Sequence, residues 1–290
     1  MKLSIIIVSF QSEHLLKKLL VNFPKKYQVI IVDNSKLKST KNKIEKKFRN
    51  TKVIIPKENL GYAKAFNLAL KNCKNDIILT LTPDVLINKN LILNIEKFLT
   101  NFKNFTLIAP EYKNQNIYKN YIPFRNGKLY KNIKTKKFII QKVKEIDWCL
   151  CIINKKKFKT KKILDENYFM YFETTDLCGE LLKKNHKMYV IKNLKFEHIG
   201  TGSTRKKYIN EVLINRNWHY SWSKFYFFKK NKNYFYAIKK VLPNIYQSLL
   251  GIIVSVFKIN FFHLKLHFAS LSGILNGIFL NKSLFRPKIK

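Results

Sequence analysis

Acidic residues are scarce in this chain: Asp and Glu together number 17, against 57 Lys and Arg, and the formal net charge is +40. Such a charge attracts polyanions, namely nucleic acid, anionic lipid headgroups or diphosphate ligands. The lysines are scattered over the whole chain, which indicates a general compositional bias alongside a membrane-surface partner. The sequence lacks a localised basic stripe with stacking aromatics and any recognised nucleic-acid motif, so we expect no nucleic-acid partner.

Cysteines are also few, and their spacing argues against a metal site. Cys149 and Cys151 are separated by one residue, which is too close for a usual zinc pair, and no second pair follows. We therefore expect the cysteines to be buried, reduced thiols of a cytosolic protein. A small-residue cleavage site is missing after the apolar run 3–10, so a first buried strand is expected there rather than a signal peptide.

The first hundred residues alternate between two apolar patterns. Continuous apolar runs predict strands, and apolar residues at helical spacing predict helices. Such alternation implies a mostly parallel sheet with right-handed crossovers. The strands are predicted over 3–9, 28–32, 52–55, 76–81 and 107–109, and the helices over 15–20, 40–48, 62–71 and 91–99.

The following residues are less regular. The polar, basic and tyrosine-rich stretch 111–144 is predicted to be a long, partly irregular connection, and such long loops in compact domains are often functional. Beyond it we predict strands over 146–153 and 188–191, helices over 173–184 and 206–228, and a glycine-containing loop over 196–203.

The C-terminal part changes composition. Between Lys240 and Lys258 there is no charged residue, but that interval is slightly short of the roughly 20 residues needed to span a bilayer. Beyond Lys258 aromatic residues alternate with lysine and histidine, which is typical of basic amphipathic helices in a membrane interface. A hairpin packed on the main domain and a true span are the alternatives.

Polar groups follow three of the predicted strands, at the sheet edge where open α/β folds bind ligands. The carboxylate in Asp33-Asn34-Ser35 can accept the N3–H of uracil or thymine. Glycine in Asn59-Leu60-Gly61 would let the backbone approach a base or ribose closely. The carboxylate in Thr82-Pro83-Asp84 suits Mg²⁺ or Mn²⁺ on a leaving diphosphate. Each segment taken alone could equally be a helix cap or a turn.

Together these segments resemble the donor half of family 2 inverting glycosyltransferases, and rhamnosyltransferases of bacterial surface polysaccharides look like the closest subgroup. Ile146-Asp147-Trp148 and residues 165–177 resemble the acceptor half, and His198 ahead of Gly200, Gly202 and Ser203 resembles the closing segment. The resemblance covers roughly residues 3–230. It implies a GT-A fold, an α/β Rossmann-like and mostly parallel sheet with flanking helices, to which the C-terminal amphipathic or apolar helices are added.

The resemblance also implies how the chain is divided into domains and which residues bind the ligands. Residues 1–230 would be the glycosyltransferase domain, with a nucleotide-binding half at about 1–110 and an acceptor half at about 111–230, and 231–290 would be a helical membrane-associating segment. A divalent metal, Mg²⁺ or Mn²⁺, would be held by Asp84 and His198, although His198 could contact the diphosphate instead. The nucleotide sugar would be bound by Ser9, Asp33, Asn34, Asn59, Gly61, Asn67, Asp84 and Trp148.

Two positions depart from the family pattern. The family usually shows Glu-Asp where this chain has Glu173-Thr174, and a threonine hydroxyl does not ionise at neutral pH. Glu173 or Asp176 would have to be the general base, since residues three apart share a helix face; if neither serves, the protein is a degenerate family member. Trp148-Cys149-Leu150-Cys151 replaces a small Ser-Gly-Ala segment, which would reshape the sugar or acceptor pocket.

The resulting expectation is a hexosyltransferase-type enzyme with a UDP- or dTDP-sugar donor and a glycan or lipid-linked glycan acceptor. It would be peripheral, on an anionic membrane surface at the cytoplasmic face of the inner or plasma membrane. The alternative is a catalytically degenerate protein that binds a nucleotide sugar or glycan without turnover.

Overall fold

A computed structural model describes residues 2–114, 119–124, 129–131, 137–199 and 205–286 of the chain. They fall into two compact units. The first unit comprises Met1–Leu60, Ala65–Leu164 and Leu177–Ser203. The second comprises Gly61–Lys64, Asp165–Asp176 and Thr204–Lys290.

Four parallel strands begin the sheet of the first unit. They lie in the order β3-β2-β1-β4, as expected for right-handed strand-helix-strand crossovers. Their apolar side chains are almost wholly buried because helices cover both faces of a parallel sheet. The strands are β1 Ser4–Ser9, β2 Gln28–Asp33, β3 Thr51–Ile54 and β4 Ile77–Leu81.

Seven further strands extend the sheet, whose order continues from β4 as β10-β6-β11-β9-β7. Strand β10 is antiparallel to both of its neighbours, whereas β6 and β11 are parallel to each other. From β3 to β11 four of the six strand pairings are parallel, so this part of the sheet is mostly parallel, as predicted. These strands are β5 Val85–Leu86, β6 Leu107–Tyr112, β7 Tyr121–Pro123, β8 Leu129–Lys131, β9 Ile139–Ile146, β10 Leu150–Asn154 and β11 Met188–His198.

Three predictions for the residues after 110 are wrong. The stretch 111–144 is not a mainly irregular connection, since it contains β7, β8 and most of β9. The strand predicted over 146–153 is divided by a turn, in which the Cys149 N–H donates to Asp147 Oδ1 at 2.9 Å. Strand β11 runs on to His198, past the loop start predicted at Phe196; Gly200 to Ser203 lie outside the described residues.

Five helices accompany the sheet. Helix α4 buries Ile92, Ile95 and Phe98, and α1 buries Leu16, Leu19 and Leu20, in the main apolar core. The predicted boundaries are close to those observed. The helices are α1 Glu13–Leu20, α2 Lys38–Lys47, α3 Gly61–Lys71, α4 Lys89–Asn101 and α5 Glu173–Lys183.

The second unit is built mainly from three long helices: α6 Ile209–Asn231, α7 Tyr234–Phe257 and α8 Phe261–Ile278. They pack against one another through a small core at Phe225, Val241 and Ile274. The predicted C-terminal helices are thus confirmed. In the part of the chain that the structure describes, α7 is the one helix long and apolar enough to cross a membrane.

Candidate active site

Asp33 lies at the carboxyl end of β2, opposite Ser9 at the end of β1. Its Oδ1 atom accepts hydrogen bonds from the hydroxyls of Ser35 at 2.7 Å and Ser9 at 3.1 Å, and from the Ser35 N–H at 3.2 Å. Burial raises the pKa of the Asp33 carboxyl above its usual range, while these three donors oppose the rise. The side chain is therefore held in one orientation at the carboxyl end of β2, where the residue is only 2% exposed.

The loops that follow the first three strands are tied to one another. The Asn34 N–H donates to the Ser9 carbonyl at 2.9 Å, and Asn34 Oδ1 accepts from the Leu60 N–H at 3.0 Å. Because Asn59 directly precedes Leu60, the bond from the Leu60 N–H to Asn34 also brings Asn59 close to the loop that contains Asp33. The predicted grouping of Ser9, Asp33 and Asn34 at one sheet edge is therefore present in the structure.

Gly61 begins α3 with a φ of +71°, a conformation that L side chains rarely adopt. A Cβ atom at this position would lie 2.2 Å from the carbonyl oxygen of Phe169, which also accepts the Tyr62 N–H at 2.6 Å. The glycine is thus required for close packing of two backbone segments of the second unit. Its predicted contact with a nucleotide is a separate role that these distances leave untested.

The side chain of Asn67 forms hydrogen bonds with the backbone of another chain segment. Its side-chain amide donates to the Leu164 carbonyl at 2.8 Å, and its Oδ1 accepts from the N–H groups of Ile163 and Leu164 at 3.1 and 3.2 Å. Only 4% of the residue is exposed, so these bonds anchor the chain segment of residues 163–164 to α3. Its predicted role in donor binding stays a prediction.

Asp84 and His198 meet although they are far apart in the sequence. The short strand β5 pairs with β11 so that His198 lies opposite Val85, and the Ile199 N–H donates to the Asp84 carbonyl at 3.0 Å. His198 Nε2 lies 3.1 Å from Asp84 Oδ1, in a contact without good hydrogen-bond geometry. Asp84 is only 3% exposed and the His198 side chain is 20% exposed, so the pair forms a largely buried, polar corner of the first unit.

The separation of these two atoms fits a shared metal ion. In octahedral coordination at about 2.0–2.1 Å, neighbouring ligand atoms are about 3 Å apart. A carboxylate suits Mg²⁺ or Mn²⁺, and an imidazole is a common metal ligand. The described residues contain no cluster of three or more His, Cys, Asp or Glu side chains, so other ligands would come from a diphosphate and water.

Trp148 lies in the turn between β9 and β10 and is 3% exposed. Its ring meets Phe66 of α3 edge to face, with centroids 5.2 Å apart. The indole N–H is buried, and it has no hydrogen-bond partner among the described residues. The bulky segment that was predicted to reshape a pocket thus fills space beside α3, and its predicted donor contact is untested.

The cysteines are free and buried, as expected. Burial raises the pKa of Cys73 and of Cys178 to about 12, so neither is a thiolate at neutral pH. Cys149 and Cys151 are also buried thiols whose pKa values burial raises.

In the second unit, Glu173 and Asp176 lie in the first turn of α5, and both are buried. Asp176 Oδ2 is 2.5 Å from the Lys230 ammonium, and its Oδ1 accepts from the Asn231 amide at 2.6 Å. Both carboxylate oxygens therefore bind α6. Lys230 also lies 2.9 Å from Asp165 Oδ2, which makes Asp176 part of an ion-pair network.

The backbone that leads into α5 is strained. Tyr171 and Phe172 have φ values of 70° and 66°, which are uncommon for bulky side chains and cost free energy. Aromatic packing holds them: Tyr220 of α6 contacts both rings, with centroids 5.6 and 5.4 Å apart. Sequence reasoning missed this feature, for which the aromatic composition of residues 168–172 was the only signal.

A second feature that the sequence did not reveal surrounds Phe169. The His219 ring stacks on it at 4.2 Å between centroids, and the Arg286 guanidinium lies 3.9 Å from its centroid. His219 is buried between Ser283 and the Phe285 carbonyl, with ring nitrogens 2.9 Å from each partner. The residues after α8 are therefore fastened to the loop that precedes Glu173.

Comparisons with known proteins bear on this arrangement. A curated relative, the low-salt glycan biosynthesis hexosyltransferase Agl10 of Haloferax volcanii, is 25% identical over 194 residues. The alignment covers 63% of this chain and 62% of that protein, so the chain spans less than two thirds of its relative's length.

Two solved structures have a similar fold. The mannosyltransferase PcManGT from Pyrobaculum calidifontis, in complex with GDP-Man and Mn²⁺, has a TM-score of 0.57 at 12% identity, covering 97% of this chain and 88% of that one. TarS 1-349 of S. aureus in complex with UDP has a TM-score of 0.50 at 17% identity, covering 96% and 89%. At such identities the likeness shows the fold alone, which is of the GT-A type.

The family model described as glycosyl transferase family 2 matches residues 4–160. That range is more than half of the 290-residue chain and includes the strand-end segments at Asp33, Asn59 and Asp84. Over that extent the sequence and the fold agree, and the chain belongs to glycosyl transferase family 2.

Proposed function

We propose that this protein is an inverting hexosyltransferase that uses a UDP- or dTDP-sugar and transfers the sugar to a glycan or lipid-linked glycan. The observation that carries the proposal is the 3.1 Å approach of Asp84 and His198, because the fold brings a carboxylate and an imidazole from distant parts of the sequence to one buried corner. Such a pair suits the diphosphate-bound metal of a sugar donor.

Asp33 is the proposed contact for the nucleotide base. Its three hydrogen-bond donors all approach Oδ1, which leaves Oδ2 as the acceptor for the N3–H of uracil or thymine. The raised pKa of the buried carboxyl is consistent with a site that is completed when a base N–H binds. TarS was solved with UDP, and PcManGT with GDP-Man, so a guanine nucleotide is included in the test below.

Asp84 and His198 are the proposed ligands of Mg²⁺ or Mn²⁺. When bound, the metal would neutralise negative charge on the departing nucleoside diphosphate. The Asp84 backbone is held by the Ile199 N–H, and the β5–β11 pairing fixes the direction from which His198 approaches. PcManGT was solved with Mn²⁺, which supports the choice of metal.

Glu173 is the proposed general base. Both oxygens of Asp176 already bind the Lys230 ammonium and the Asn231 amide, so a proton would be accepted there only at the expense of an ion pair. Glu173 would take the proton of an acceptor hydroxyl while that oxygen bonds to the anomeric carbon. The bond from this carbon to the diphosphate breaks on the opposite face, so the configuration inverts. A positioned base contributes roughly 10²–10⁴-fold in rate.

The test is a donor screen on the purified protein with Mn²⁺ or Mg²⁺ and a lipid-linked glycan acceptor. Release of UDP, dTDP and GDP from their sugar conjugates is measured with and without acceptor; the dTDP arm also tests the rhamnosyltransferase-like resemblance. We expect acceptor-dependent release from a UDP- or dTDP-sugar, and its loss in Asp84→Ala. The matched control is Asp76→Ala, which removes an exposed carboxylate of the same unit. Release from a GDP-sugar alone would overturn the proposed base specificity.

The second candidate function is binding without turnover. It is favoured by Thr174, which stands where the resemblance places the acidic residue that usually serves as the general base. This alternative predicts that a nucleotide sugar raises the melting temperature, that no donor releases its nucleotide with any glycan acceptor supplied, and that Glu173→Gln changes neither result.

A further inference from the structure

The polarity of α7 is inverted relative to a helix of a water-soluble core. Its buried residues include Val241, Ser248 and Ser255, which lie seven positions apart and form one stripe. Only 17% of the most apolar 18-residue segment of α7 is buried, whereas the core helix of a soluble protein is mostly buried. Large apolar side chains lie on the exposed side: Leu242, Tyr246, Leu249, Leu250, Ile253, Val254, Val256 and Phe257.

Helix α8 repeats the pattern. Its buried residues are Ala269, Gly273, Ile274 and Gly277, whereas Phe268, Leu275 and the C-terminal Phe279 are exposed. A Cβ atom on Gly251 would lie 2.3 Å from the His267 ring, and one on Gly273 would lie 2.3 Å from the Trp218 carbonyl. Small residues at helix contacts and large apolar residues outside are typical of helices surrounded by lipid.

The turn between α7 and α8 extends this surface. Phe257 and Ile259 are 83% and 74% exposed, and Phe261 is 68% exposed. We call the exposed apolar side chains of α7, the turn and α8 the outer face. It is far larger than the isolated apolar residues that ordinary surfaces carry, so a partner is expected to cover it.

Charge decides which partner fits. Glu211 is the last acidic residue of the chain, so the helices α7 and α8 carry only positive charge. Exposed lysines border the outer face at 239, 240, 258, 265 and 282. A second copy docked on this face would bring like charges together, whereas an anionic bilayer offers both hydrocarbon and negative headgroups.

We propose that the outer face of α7 and α8 lies in the headgroup and upper acyl region of an anionic membrane. The protein would then be peripheral, with both helices parallel to the membrane surface. Lys265 fits this orientation, because it is exposed on α8 and its ammonium group stays among the headgroups when the helix lies along the surface. The inference goes beyond sugar transfer and does not depend on it.

The experiment measures co-sedimentation of the full chain with vesicles of phosphatidylcholine alone or with phosphatidylglycerol added. We expect binding to the anionic vesicles that salt weakens, and about tenfold or greater loss of affinity for each of Leu249→Glu and Ile253→Glu. Both side chains are about half exposed, so these variants should fold. The control Leu93→Glu changes a similarly exposed leucine of the first unit and should bind vesicles normally.

Three outcomes would overturn the proposal. Unchanged sedimentation of the two glutamate variants would mean that lysines alone bind the vesicles. A wild-type dimer in light scattering that becomes monomeric in Leu249→Glu, together with no vesicle binding, would assign the face to a second copy. Retention of the vesicle-bound protein after an alkaline carbonate wash would indicate a span rather than an interfacial helix pair. Failure of the donor screen would affect none of these readouts.

Discussion

The ammonium group of Lys230 on α6 lies 2.5 Å from Oδ2 of Asp176 on α5. The carboxylate is almost completely buried and its other oxygen binds Asn231. Asp176 therefore joins α5 to α6 through both of its carboxylate oxygens. Glu173 and Asp176 are the two alternatives for the general base, and this ion pair makes them experimentally distinguishable.

The first prediction compares these two carboxylates. Asp176→Asn leaves Lys230 with a weaker partner and should lower the free energy of unfolding by about 2–3 kcal/mol, less than the roughly 3–5 kcal/mol of a fully buried pair because Lys230 is partly exposed. Glu173→Gln should reduce kcat by about 10²–10⁴-fold with little change in donor affinity. Urea unfolding and single-turnover kinetics measure the two effects. Full activity of Glu173→Gln would reject this base.

The second prediction uses two glycines as a matched pair. Gly61→Ala would place a methyl group 2.2 Å from the Phe169 carbonyl at a φ of +71°, and we expect it to cost at least about 2 kcal/mol of stability. Gly179→Ala places a methyl group where no atom lies within 4 Å, in the middle of α5, and should stabilise by about 0.5–1 kcal/mol. Equal effects in thermal unfolding would contradict the packing role of Gly61.

The third prediction concerns Asp33→Asn. Because burial raises the folded-state pKa of Asp33, its charge opposes folding once the pH exceeds the unfolded pKa, and this cost grows until the pH passes the folded pKa. The amide keeps the Oδ1 acceptor and removes that charge, so the melting temperature at neutral pH should stay the same or rise. Affinity for UDP should fall about tenfold or more. Isothermal titration and differential scanning calorimetry together test it; a large loss of stability would mean that the charge is structurally required.

The fourth prediction follows from His219. Burial lowers the pKa of its imidazole to about 3, so the folded protein holds His219 in its neutral form. The stability it contributes is complete above the ordinary histidine pKa near 6.5 and is lost as the pH falls toward 3, by up to about 1.4 kcal/mol per pH unit. His219→Gln can still donate to the Phe285 carbonyl and accept from Ser283, and it should flatten this part of the stability profile measured by urea unfolding. An identical slope in the variant would assign the acid loss to other groups.

The fifth prediction tests the metal ligands without relying on turnover. Mn²⁺ together with UDP should raise the melting temperature of the wild type, and Asp84→Asn or His198→Ala should remove that rise. UDP alone should still bind the variants through Asp33. Asp76→Asn, in an exposed pair with Lys156, is the control and should respond to Mn²⁺ as the wild type does. A Mn²⁺ response that survives in Asp84→Asn would place the ion elsewhere.

Much of the fold could be predicted because its signals are local. Strands β1 to β4 are nearly continuous apolar runs, and α1 and α4 present apolar residues at helical spacing, so each element is specified within its own segment. Strands β7 and β8 and most of β9 were missed, because β9 alternates buried Val143 with exposed Lys142 and Lys144 in a polar, tyrosine-rich stretch. Such strands are recognisable only once a neighbouring strand exists to pair with them.

The sequence by itself determined which chemical groups stand at the strand ends, since Asp33 and Asp84 each follow an apolar run that can only be buried. Local patterns could not determine which distant groups they meet, and only the family resemblance named His198 as the partner of Asp84. Tertiary structure supplies the physical means: the pairing of β5 with β11 brings His198 to Asp84, and α6 brings Lys230 to Asp176. It also turned the large apolar side chains of α7 outward, because small residues occupy the helix contacts. Periodicity specifies a face of a helix, but only packing against neighbours decides whether that face is covered.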